Sequence, residues 1–274
     1  MKNTLFKIIP IILLSACQNS SVISEKLKMQ TYTEEQKEII EEYHGNCAAK
    51  FSYTFNHHQY QACLDKGLEK DPSISYLWQQ KAMPYFKARK YAVGMQYLDK
   101  AVQLNKMRYL SYRAFIKCIF SKQYREAIDD FNAIKALEGN SIVMDHSYDF
   151  YTALSYLQLN EFEKAEKLFR VDIAAQVKEW GQAEYHHLSS FYLAIALFEL
   201  EKWEESAENF DLSLEKNNQF SEAHYYKSIC LANLERFEEA KKSYQMAKLN
   251  GEKGNTIHED NSLYELYPYQ VRWN

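Results

Sequence analysis

The chain has little that bends or interrupts a helix. Seven glycines and four prolines are spread over 274 residues, too few for the turns that a sandwich or barrel of short strands demands. Gly-x-Ser-x-Gly, a phosphate-cradling glycine loop and His-Glu-x-x-His are all missing, which removes the common signatures of α/β-hydrolases, P-loop proteins and zinc hydrolases. There is no basic run, so a nucleic-acid partner is not expected. No apolar stretch reaches the roughly 20 residues that a membrane-spanning helix needs. The acidic pairs Glu204-Glu205 and Glu238-Glu239 stand beside predicted helix starts, where the helix dipole favours negative charge. They read as solvated caps, not as an acid/base pair. Neither catalysis nor a cofactor is expected.

What is present begins at the N-terminus. Lys2 and Lys7 precede a short apolar run, Ile8 to Leu14, that ends in Leu14-Ser15-Ala16-Cys17. A positive start, a short apolar segment and small residues before a cut site form a secretory signal. The last four residues resemble the lipobox of bacterial lipoproteins. That resemblance implies cleavage of residues 1–16, a lipid on the Cys17 thiol and, with Gln18 following, anchoring at the outer membrane facing the periplasm. Several acyl chains on one residue anchor stably where a single chain does not. Loss of Lys2 and Lys7 leaves 31 basic residues against 37 acidic ones, a net charge of −6. Residues 17–33 are mostly polar and unpatterned and read as a tether.

Residues 34–254 carry helical apolar spacing. Thr33-Glu34-Glu35-Gln36 is a capping-box start. Trp203, Ser206, Phe210 and Ser213 are echoed 34 residues later by Phe237, Ala240, Tyr244 and Ala247. A period of this size marks stacked helix pairs, since one pair cannot bury both of its faces. Weaker echoes are Trp78, Ala82, Tyr85 and Tyr91; Tyr124, Ala127 and Phe131; Ala153, Phe162, Ala165 and Phe169. The pattern resembles tetratricopeptide repeats (TPRs). The predicted fold is an all-α, right-handed α-solenoid of about six helical hairpins, starting near residues 41, 75, 108, 146, 187 and 221. Three gaps are 33 or 34 residues and two are longer, 38 and 41. Loops are expected at the extra residues, around Gly139-Asn140 and Gly181. Lys81 stands where the repeat favours leucine, Gly94 where it favours alanine, and Phe115 where it favours a small residue. Pro84 should bend its helix.

In this family the first helix of each hairpin lines a concave groove. By resemblance, the partner-facing places here hold Tyr76, Gln80, Met83, Tyr109, Tyr112, Arg113, Phe150, Tyr151, Phe191, Tyr192, Tyr225 and Tyr226. Roughly half of these aromatic-rich positions are expected to be open, as tyrosine suits partly wet recognition surfaces. The expected partner is a protein segment in the cell envelope, with a glycan or peptidoglycan as the alternative.

Residues 255–274 form a separate aromatic tail, expected to cap the final hairpin; the alternative is that it lies in the chain's own groove. Cys47 and Cys63 fall opposite each other in the first hairpin, and an exported protein could bridge them. Two buried thiols are the other reading. Cys118 and Cys230 read as core thiols. A metal site from His44, Cys47, His57, His58 and Cys63 is not expected, because His44 and His57 would lie roughly 20 Å apart along one helix. His186-His187 reads as a surface pair.

Overall fold

The computed structural model describes residues 32–181, 184–259 and 261–273. Cys17, the predicted signal and most of the tether lie outside the described residues. Thr33 opens the first helix: its hydroxyl accepts the Gln36 N–H, and the Gln36 side chain accepts the Thr33 N–H, each at 3.2 Å. Helix α1 (Glu34–Ile40) is prolonged by a π-helical turn over Glu41–Gly45 and packs on α2 (His57–Lys70). Five further pairs follow. They are α3 (Ser75–Lys87) with α4 (Tyr91–Leu104), α5 (Lys106–Phe115) with α6 (Tyr124–Glu138), and α7 (Tyr148–Gln158) with α8 (Phe162–Trp180). The last two are α9 (His187–Glu199) with α10 (Trp203–Lys216), and α11 (Ser221–Asn233) with α12 (Phe237–Glu252). Each helix packs on the next, which is the solenoid arrangement.

The turns inside the last five pairs share one device. Arg89, Lys122, Asn160, Glu201 and Glu235 each adopt a positive φ between the two helices of a pair. These residues repeat the uneven spacing of the predicted units, longer gaps included. A left-handed residue lets the chain reverse within a few residues, at a cost of about 1–2 kcal/mol where it is not glycine.

The two longer gaps are not plain loops. After Gly139, strands β1 (Ile142–Val143) and β2 (His146–Ser147) pair antiparallel. Met144 and Asp145, with φ of 46° and 70°, form their reversal, the backbone that a two-residue hairpin favours. The second gap is taken up by α8, which runs for 19 residues to Trp180 before Gly181 ends it at φ 98°. At the front, the first pair starts at Glu34, ahead of residue 41. Ala48 and Phe51 lie in the irregular link between α1 and α2, where Ala48–Lys50 makes one 3-10 turn.

The departures from the repeat have local causes. Gly94 lies under the Phe86 ring, where an added Cβ would come within 2.6 Å of the ring. Lys81 is buried, but its ammonium pairs with Asp65 and sits 5.0 Å over the Tyr97 ring. Phe115 ends α5, and the backbone widens there into a π-helical turn over Ile116–Phe120. Helix α3 runs through Pro84 and stops soon after, at Lys87. Cys47 and Cys63 form a disulfide, with Cα atoms 5.7 Å apart. Cys47 belongs to the irregular link, so the bridge ties that link to α2. Cys118 and Cys230 are buried. Burial pushes the Cys118 thiol up to about 12.

Candidate functional site

The first helices of the pairs present the twelve predicted positions, but not as an open groove. Tyr109, Phe150, Tyr151, Phe191 and Tyr192 are buried, and the other seven are half-buried. The expectation that half would be open fails, for two reasons.

One reason is packing between neighbouring pairs. The Tyr60 hydroxyl donates to Gln80 at 3.1 Å, and Tyr76 meets the His44 ring nitrogen at 3.3 Å. The Tyr112 hydroxyl points at the Met83 sulfur at 2.9 Å. Arg113 donates to both carboxylate oxygens of Asp130, at 2.8 and 2.7 Å, and to Asp99 at 2.8 Å. A guanidinium committed to two carboxylates, one of them bidentate, is locked in place. It ties α5 to α4 and α6. Phe191 packs on Phe210 and Phe220 in the core.

The other reason is the tail. The expected cap instead lies along the first helices. From the end of α12, Asn255 accepts the Ser221 N–H at 2.9 Å. Glu259 reaches His146, and residues 264–266 reach the turns after α3 and α5. There Arg89 donates to the Tyr264 carbonyl and Lys122 to the Leu266 carbonyl, both at 3.0 Å, while Tyr91 donates to Glu265. The chain then returns. Tyr267 is buried against Tyr151, and Tyr192 donates to the Pro268 carbonyl at 3.0 Å. Tyr269 donates to Glu199 at 2.6 Å and packs on Tyr226. The Val271 N–H donates to Glu222 at 3.2 Å. Trp273 ends against Tyr225, Tyr244 and Gly251. Trp273 is the tail's contact with α12 at Tyr244 and Gly251, and the start of that helix stays open, with Phe237 65% exposed.

The tail is therefore held by its main chain as much as by its rings. Its carbonyls and one N–H are read by Arg89, Lys122, Tyr192 and Glu222, while alternating tyrosines enter the helix face. Of these four, sequence reasoning found only Tyr192. Arg89 and Lys122 carry the signal that could have found them: each occupies a hairpin turn and is basic. Glu222 is buried, and burial pushes its carboxyl up to about 7. Of its two oxygens, Oε2 makes no hydrogen bond.

A second cluster was also missed. His146 on β2 is buried and stacked on Phe150, with ring centres 3.9 Å apart. His186 caps α9, accepting the Leu188 N–H on Nδ1 at 3.2 Å. The His186 and His187 rings are 4.7 Å apart, and both are half-buried, which corrects the surface reading. Burial first, and then the neighbouring imidazoles, push His186 down to about 3 and His187 to about 4.

No family model matches the chain, and no curated protein matches it. Solved structures do. The chain is similar to PilF of Pseudomonas aeruginosa, at 15% identity over 80% of this chain and 93% of that one, with a TM-score of 0.57. It is similar to PilW, described as a type IV pilus biogenesis factor, at 11% identity over 81% and 93%, with a TM-score of 0.56. It is also similar to residues 41 to the end of MamA from Desulfovibrio magneticus RS-1, at 12% identity over 65% and 96%, with a TM-score of 0.55. These likenesses show the fold: the chain is a TPR-type α-solenoid, 72% helical with twelve helices among the described residues.

Proposed function

We propose that this protein is a non-catalytic, lipid-anchored adaptor of the bacterial envelope. It holds a non-helical segment of a protein partner on the first-helix face, in the place its own tail fills. The observation that carries this reading is the way the tail is bound. Arg89, Lys122 and Tyr192 donate to three tail carbonyls. Main-chain contacts of this kind accept many sequences, while pockets for alternate side chains select among them. The tail is thus a worked example of the ligand class: non-helical and folded back on itself, tyrosine-rich and carrying carboxylates. The partner segment and the tail exchange on one surface.

The Cys47–Cys63 bridge supports export, because disulfides persist in oxidising compartments. The lipobox-like Leu14-Ser15-Ala16-Cys17 supports anchoring. Together they give a body held near a membrane by Cys17, positioned to bring envelope proteins together at the outer membrane, on its periplasmic side. The glycan alternative has less support. A sugar needs open aromatic faces, and Tyr151 and Tyr192 are both fully buried.

The test is a pull-down from solubilised envelope with three forms of the intact protein. Tyr267→Ala with Tyr269→Ala loosens the tail and should increase capture of partners over wild type. Adding Tyr192→Ala should abolish that gain. A partner list that is the same for all three forms would remove the first-helix face from the account.

A further inference from the structure

We propose that His146, His186 and Glu259 form a site for a zinc-class divalent cation that fastens the tail to the repeats. One coordinating atom from each of the three residues lies within 4.8 Å of the other two. His146 Nε2 is 3.3 Å from Glu259 Oε2. In a tetrahedron with metal–ligand bonds of about 2.1 Å, ligand atoms stand about 3.4 Å apart. The His146–Glu259 edge already has that length, and the His186 atom, within 4.8 Å of both, has to move inward by at most about 1.4 Å.

The second observation is independent of the spacing. The His146 side chain is 2% exposed, and its Nε2 faces only the Glu259 carboxylate, at 3.3 Å, without a hydrogen bond of good geometry. A buried ring nitrogen without a well-formed hydrogen bond costs free energy, and a cation shared between Nε2 and the carboxylate satisfies it. The ring cannot turn away, because it is stacked on Phe150 and edge-on to Tyr151 and His186.

The backbone of His186 is also held. Its N–H donates to Gln176 at 2.8 Å, and Gln176 and Ser189 both donate to the buried Asp172. Capture of a cation has one local cost. Whichever nitrogen of His186 binds, the Nδ1 cap on Leu188 is given up, since a metal-bound ring no longer offers that lone pair. One long cap is exchanged for three coordinate bonds.

The donor set decides the class of ion. Two imidazoles and one carboxylate suit zinc, copper, nickel or cobalt and disfavour magnesium and calcium, which require oxygen donors. Three protein ligands leave a fourth position for water. The origin of the ligands gives the site its consequence. His146 comes from the inserted β-hairpin and His186 from the segment after the long α8, the two places where the repeat period is broken. Glu259 comes from the tail. A cation there joins the two insertions to the segment that covers the helix face.

The test uses the intact protein stripped of metal by chelation and dialysis. Cobalt(II) chloride should bind with one equivalent and give the intense visible absorption of a tetrahedral N/O site, and zinc sulfate should displace it. His146→Ala should weaken binding by more than the roughly 10–100-fold that loss of an outer-shell contact costs. Glu259→Gln, a near-isosteric change on the tail, does the same without touching the buried core, and so guards against misfolding of the histidine variant. Zinc should also slow proteolysis within residues 261–266 in the wild type and not in Glu259→Gln. The proposal fails if no one-equivalent cobalt spectrum appears, or if both variants keep wild-type affinity. The titration contains no partner protein, so its failure leaves the adaptor reading standing, and the pull-down can fail without it.

Discussion

Trp203 and Phe237 occupy the same place in successive hairpins, as do Phe210 and Tyr244, yet their surroundings differ. Phe210 is fully buried between Phe191 and Tyr226, whereas Tyr244 is 46% exposed. Trp203 packs against Phe198, whereas Phe237 is 65% exposed. The sequence repeat gives the two hairpins the same shape. It does not give them the same neighbours. Helix α10 is covered by α11, and α12 has no hairpin after it. In a solenoid, burial belongs to the contact between units, so equivalent residues carry unequal free energies.

Phe210→Ala should have the largest effect, a loss of about 3–5 kcal/mol in denaturant unfolding, as expected for a buried aromatic reduced to a methyl. If Phe210→Ala and Phe237→Ala cost the same, the contrast is broken. Tyr267→Ala should cost about 3 kcal/mol, but locally. Limited proteolysis of the tail should accelerate while the helical circular dichroism stays unchanged. A cooperative loss of helix would instead place the tail in the core.

Glu222→Gln sharpens the same contrast through pH. The buried carboxyl of Glu222 is pushed up to about 7, from 4.5, so the fold favours its protonated form. The stability from that site is present below pH 4.5 and is lost as pH rises through 7. The amide cannot ionise, so the variant should match wild type near pH 4.5 and exceed it by up to about 3 kcal/mol at pH 8. Thermal melts at the two values check this. An equal difference at both would show that Glu222 titrates normally.

Glu235→Gly should stabilise by about 1 kcal/mol, because the turn of the last hairpin holds Glu235 at φ 60°. The melting temperature should rise by about 2–4 °C. The smallest effect should come from Phe237→Ala, within about 0.5 kcal/mol of wild type.

Much of the architecture was legible, because a solenoid writes its packing into a period. The aromatic and small residues of each unit, the capping box at Thr33 and the uneven spacing all have counterparts in the structure. The site was less legible. Spacing can place Tyr192 on a helix face, but it cannot say that Pro268 will cover it, since nothing periodic links the two. The pairing of Arg113 with Asp130 and Asp99 was hidden for the same reason: it joins three helices by charge, not by pattern. His146 was unreadable because the extra residues looked like a loop. Only the reversal at Met144-Asp145 turns them into a strand pair that buries a histidine.

The path of the tail has a consequence for how the molecule folds. Contacts in a helical array are close in sequence, so each pair can form and open almost alone, and the ends fray independently. The bond from Arg89 to Tyr264 spans 175 positions. It joins the second hairpin to a segment that follows the sixth, and so turns a line of loosely coupled units into a ring of dependencies. Unravelling that reaches the second hairpin must also release the segment after the sixth. Residues 255–273 follow all six hairpins along the chain, so their docking is a late, non-local step in refolding, slower than the helices it joins.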